Sequence, residues 1–134
     1  MSVKIEAQYL DGLRILAKHV PSGVSIETDP PIDNGGSGKS YSPTDLLATS
    51  VLTCMFSIMA LHAKKQGWSL VGLNGYVEKH MTTDLPRKVA KLFVFVTLPS
   101  ELSASARTEL IERANNCPVL LSLSSGIDVV KQYY

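Results

Sequence analysis

The chain has 134 residues, 45% of them hydrophobic and 19% charged, with 13 basic against 12 acidic residues for a net charge of +1. That length suits one domain and can bury a core without disulfide staples, and the composition argues against disorder. The near-neutral, scattered charge removes the electrostatic case for nucleic acid or an anionic membrane as partner.

The opening residues, MSVKIEAQYL, lack the apolar run of a signal peptide. A cytoplasmic protein is therefore expected, and there a redox-active cysteine pair is more plausible than a structural disulfide. VKIEAQY, LRILAKH and GVSIET read as three short strands, separated by turn signals at Asp11-Gly12 and Pro21-Ser22-Gly23. A loop dense in Pro, Gly, Asn and Ser follows, DPPIDNGGSGKSY, too short to be a domain linker. Its GGSGKS resembles part of a phosphate-binding loop, but the pattern needs Gly at position 33, which is Asp33, and no buried parallel strand precedes it.

Ser42 as N-cap, Pro43 at the first helical position and Asp45 in the first turn predict a helix from there to about Gln66, stopped by Gly67. Such a helix is about 35 Å long. Its Leu46 to Ala63 stretch approaches membrane-spanning length, but Thr49, Ser50, Thr53, Ser57 and His62 interrupt it, which favours a buried core helix. Being apolar nearly all round, it must be enclosed on all sides. One chain of this size can hardly do that, so a homodimer in which two such helices pack together is expected.

Two strands follow in SLVGLNGYVEKHMT and KVAKLFVFVTL, joined by TDLPR. A second helix is predicted over about Ala104 to Asn116, capped by Ser103, with Ala106, Leu110 and Ala114 as its apolar stripe. Cys117-Pro118 then starts a short helical turn, and GIDVVKQYY reads as a terminal strand. The order βββαββααβ gives an α+β fold in a single domain, residues 1–134.

The two cysteines are the candidate chemistry. Cys54 lies in the middle of the long helix, where a buried, inert thiol is the ordinary outcome and where any activation must come from a cation elsewhere. Cys117 lies at a helix start, whose N–H groups can stabilise a thiolate, so local electrostatics ranks it the more acidic of the two. They stand 63 residues apart, which matches neither a CxxC motif nor a zinc pattern. His19, His62 and His80 are too dispersed to suggest a metal site, and His62 lies about 12 Å along the helix from Cys54, too far to be its base.

The ordered combination of Gly12-Leu13-Arg14, a Gly-rich loop, SPTDLLATSVLTC and CPVLLSL resembles the OsmC/Ohr family, osmotically inducible protein C and the organic hydroperoxide resistance proteins, over nearly the whole chain. The resemblance is closer to the broad OsmC-like branch. It implies antiparallel sheets around a long buried helix in an intertwined homodimer, with active sites at the interface. It makes Cys54 the peroxide-attacking thiol, Cys117 the resolving thiol and Arg14 the activating cation, and so reverses the ranking from local electrostatics. Relatives carry Glu directly after the proline, paired with the arginine, whereas this chain has Thr44. Asp45 points about 180° away from Cys54 around the helix and is better read as a cap. Leu120-Leu121 replaces more polar residues and suits alkyl or lipid hydroperoxides.

The implied activity is a peroxiredoxin-like, thiol-dependent reduction of organic hydroperoxides through a Cys54/Cys117 dithiol–disulfide cycle, in oxidative stress defence. It would use no metal or organic cofactor, only an external dithiol reductant or dithiol-bearing protein. The alternative is a non-catalytic protein of the same fold that binds a small hydrophobic ligand or senses redox state.

Overall fold

The computed structural model describes all residues, 1–134. The chain forms two compact units, Met1–Leu47 and Ala48–Tyr134.

In the first unit, β1 (Ile5–Asp11), β2 (Arg14–His19) and β3 (Ser25–Thr28) form an antiparallel sheet in the order β1-β2-β3. The β1–β2 hairpin closes with Asp11 opposite Arg14. Its two central residues, Gly12 and Leu13, both have positive φ, at 61° and 68°. Such a turn matches the twist of the flanking strands, but at Leu13 it sets a Cβ in a region where only glycine is free of strain. The Asp11 carboxylate accepts the Gly12 N–H at 2.8 Å and so steadies the turn.

After β3 the chain folds over itself. The buried Asp29 carboxylate accepts the N–H groups of Ser37 at 3.3 Å and Lys39 at 3.1 Å, and also the Ser37 hydroxyl. These bonds, Ser37's hydroxyl foremost, hold the Asp29 carboxyl below the ordinary range. Gly36 lies so close to Pro30 that a Cβ would stand 1.7 Å from the Pro30 carbonyl oxygen. The glycines that resemble a phosphate cradle thus serve a close backbone crossing.

Helix α1 spans Pro43–Gln66. Its start is a reciprocal capping box: the Asp45 N–H donates to Ser42 Oγ at 3.1 Å, and the Ser42 N–H donates to Asp45 Oδ2 at 2.8 Å. Asp45 is therefore a cap, as its angular position implies. In the second unit α1 ends at Gly67, whose φ is 72°. The Gly67 N–H bonds to the Lys64 carbonyl at 3.3 Å and the Trp68 N–H to that of Ala63 at 2.9 Å, which satisfies two of the last orphan carbonyls.

The rest of the second unit packs around α1. β4 (Asn74–Met81) and β5 (Val89–Thr97) make an antiparallel hairpin in which Tyr76 faces Phe95 and Val77 faces Val94. Successive residues alternate between half-buried and exposed, so one sheet face turns inward. Helix α2 spans Ala104–Asn115, with the Ala106 N–H donating to the Ser103 cap at 3.1 Å, and α3 spans Pro118–Ser125. Val51, Met55, Met59 and Ala63 of α1 form one apolar cluster with Leu98, with Leu110 and Ala114 of α2, and with Cys117.

One expectation is corrected. Residues 126–134 form no strand, and the element order within the chain is βββαββαα. The segment alternates as a strand should, but no strand of this chain offers it a ladder, and Ile127, Val129 and Val130 stay exposed. As expected for one chain of this size, α1 is not enclosed on all sides. Only the stripe Ala48, Val51, Met55, Met59, His62, Ala63 is buried, while Thr53, Ser57, Ala60 and Leu61 remain exposed. By length and composition alone α1 could cross a bilayer, yet its buried stripe is committed to the cluster with α2.

Candidate functional site

The second unit brings the two cysteines together. Cys54, half-buried on α1, packs against the apolar cluster that contains the fully buried Cys117. Both are free thiols, and Cys54 is near enough to influence the ionisation of Cys117. The sequence places them on the same seam for simple reasons. Cys54 neighbours Val51 and Met55 on the inward side of α1, and Cys117 follows Leu110 and Ala114 where α2 gives way to α3.

The helix-start argument for an acidic Cys117 does not hold in the folded chain. Burial, the largest influence, pushes the Cys117 thiol above its ordinary value. The N–H groups of Leu120 and Val119, in the first turn of α3, pull it down as expected of a helix start. Nearby Cys54 adds to the rise, both as a hydrogen-bond partner and as a competing negative charge. Desolvation wins, so Cys117 is held as a neutral thiol. Its zero exposure and its placement against Cys54 fit a thiol that is reached from Cys54 rather than from solvent.

Arg14 belongs to the other unit, at the start of β2. Its exposed guanidinium donates to Glu27 Oε2 on β3 at 3.4 Å, and its charge helps to lower the Asp29 carboxyl. Thr44 offers no carboxylate; its hydroxyl lies 3.2 Å from Ser42 Oγ in the helix cap. The acid that Arg14 meets is thus Glu27, a residue the sequence reading did not single out. Cross-strand pairing of β2 with β3 was its only signal, with Leu16 opposite Glu27.

A second overlooked pair lies on the seam with the cysteines. The buried His62 donates from Nε2 to Glu109 Oε1 at 2.6 Å. Its ring also meets Trp68 edge-on, with centroids 5.7 Å apart.

Residues 36–131 match the family model described as OsmC-like protein. The chain belongs to that family. A crystal structure from Psychrobacter arcticus 273-4, provisionally described as an osmotic stress induced and detoxification response protein, shares 36% identity with it. That match covers 88% of this chain and 85% of the other, with a TM-score of 0.82. An organic hydroperoxide resistance protein OsmC from Legionella pneumophila has the same fold at 17% identity and TM-score 0.72, covering 92% of this chain and 89% of its own. So has an organic hydroperoxide resistance protein from Elizabethkingia anophelis, at 17% identity and TM-score 0.70, covering 91% and 87%. No curated protein matches the sequence. The α+β OsmC-like fold expected from the motifs is therefore the fold found, in a family that includes organic hydroperoxide resistance proteins.

Proposed function

We propose that this OsmC-like protein is a thiol-dependent peroxidase for organic hydroperoxides. The observation that carries this reading is the packing of two free thiols at one apolar cluster, Cys117 buried within it and Cys54 half-buried against it. The Cys54 thiolate attacks the outer peroxide oxygen, the O–O bond breaks, and the alkoxide leaves and takes a proton to become the alcohol. Cys54 is then a sulfenic acid. The Cys117 sulfur attacks it, water departs, and a disulfide forms. An external dithiol returns two electrons and two protons and regenerates both thiols.

Arg14 is assigned the role of the cation that favours the Cys54 thiolate and the departing oxygen. Glu27 takes the orienting part that relatives give to the acid after the proline. The working form is proposed to be a homodimer in the cytoplasm. The exposed face of α1 and the unpaired, apolar terminal segment support the dimer, because both gain a partner in a second copy. Leu120 and the exposed Leu121, just past Cys117, favour alkyl or lipid hydroperoxides as substrates.

Reduced protein supplied with dithiothreitol should consume cumene hydroperoxide faster than hydrogen peroxide. Cys54→Ser should abolish turnover, and Cys117→Ser should halt at the sulfenic acid. Full activity in Cys54→Ser would refute the mechanism. The neutral, buried state of Cys117 also suits slow redox sensing, for which stoichiometric oxidation without turnover is the distinguishing result.

A further inference from the structure

His62 and Glu109 are buried or half-buried groups that the peroxidase cycle does not use, yet they sit on the same seam as the cysteines. The residue numbers of the two contacts are related. Cys54 meets Cys117 and His62 meets Glu109. His62 is eight residues after Cys54, and Glu109 is eight residues before Cys117. As the number rises on one side it falls on the other, so α2 and the corner that carries Cys117 run antiparallel to α1, with the two contacts about 12 Å apart along α1.

Most of what lies along that seam is apolar: Val51, Met55, Met59 and Ala63 on one side, Leu110 and Ala114 on the other. Apolar contact is non-directional and constrains sliding only through shape. The 2.6 Å His62–Glu109 hydrogen bond is directional. Trp68, set by the turn that ends α1, holds the imidazole from its edge. Without Glu109, the His62 N–H would be left buried and unpaired. Disulfide closure is demanding in just this coordinate, since it needs Cβ atoms about 3.5–4.5 Å apart.

We propose that His62 and Glu109 form a positioning pair that fixes the register of α1 against α2, and so sets the α2–α3 corner where Cys117 can close a disulfide with Cys54. This rests on the dithiol reading above, but its test needs no peroxide. In a glutathione redox buffer, glutathione forms a mixed disulfide on Cys54. Cys117 then displaces glutathione thiol to leave the Cys54–Cys117 bond, so two thiols are oxidised as one glutathione disulfide is reduced. The ratio of closed to mixed disulfide measures the effective concentration of Cys117 at Cys54.

A misplacement of about 1 Å can cost on the order of 10²-fold in such a geometry, so Glu109→Ala should lower the effective concentration at least about tenfold. Glu109→Gln, which can still accept the His62 N–H, should stay near wild type. The alkylation rate of Cys54 should not move, as it would if the whole site had loosened. Should Glu109→Ala fail to fold, Glu109→Asp, one methylene short, carries the same test. An effective concentration within about twofold of wild type in a folded Glu109→Ala or Glu109→Asp overturns the positioning role while leaving the dithiol intact. A wild-type protein that never closes the disulfide overturns the dithiol reading and the pair's role with it.

Discussion

The division of labour between the two thiols can be tested by limited alkylation of the native, reduced protein. Cys54 is half-buried and open to reagent, whereas Cys117 has no exposed surface and is held neutral by burial. Reagent can reach Cys117 only when the α2–α3 corner opens. Local and sub-global openings span from near zero to the whole unfolding free energy. A core position sealed by Leu110 and Ala114 belongs well up that range, at roughly 3–4 kcal/mol or more. At about 1.4 kcal/mol per factor of ten, Cys117 should react about 10²–10³-fold more slowly than Cys54. Its neutral state slows it further, because only the thiolate reacts. Substoichiometric iodoacetamide followed by peptide mass spectrometry reads the two rates directly. The first equivalent should fall on Cys54, and the difference should vanish in denaturant. Equal native rates, or faster labelling of Cys117, would refute both the burial argument and the assignment of Cys54 as the attacking thiol.

Three further outcomes are expected. Leu110→Ala, at a fully buried core position, should cost about 3–5 kcal/mol in urea unfolding, whereas Ile111→Ala, one position round the helix and exposed, should cost under about 1 kcal/mol; similar losses would mean α2 is not seated by its Ala106–Leu110–Ala114 stripe. The raised Cys117 pKa favours the folded state below the unfolded-thiol value of 9.0 and withdraws that stabilisation as pH rises through the folded value, so wild type should lose stability above about pH 9 more steeply than Cys117→Ala in pH-dependent denaturation. Leu13→Gly should stabilise the β1–β2 hairpin by about 1 kcal/mol, by relieving a side chain at φ 68° that is half out in solvent; a loss in thermal melting would show that Leu13 makes a contact worth more than its strain.

The features that could be read from the sequence are those whose causes are local. Ser42, Pro43 and Asp45 write the start of α1, and Gly67 writes its end, because capping is settled within one turn of chain. The α2 stripe is legible for the same reason. What escaped the sequence depends on partners far along the chain. Glu109 lies 47 residues from His62, and nothing near either residue announces the other. Glu27 meets Arg14 only because β3 lies beside β2. Residues 126–134 have the alternation of a strand, but a strand also needs a neighbour, which local pattern does not supply. The raised pKa of Cys117 escaped the sequence because helix N–H groups are visible there, whereas desolvation is a property of the packed core. The family motifs assign the roles from position rather than from local charge.

The placement of the two cysteines has a topological consequence. Between them lie the later part of α1, all of β4 and β5, and the whole of α2. A bond between the sulfurs turns that stretch into a covalent ring. By the loop-entropy relation, a ring of this size destabilises the unfolded chain by about 4 kcal/mol. On the proposed cycle the protein is hardest to denature in its spent, oxidised state and easiest once reductant has reset it. Resistance to protease then becomes a gauge of how many molecules have fired and not yet been recharged.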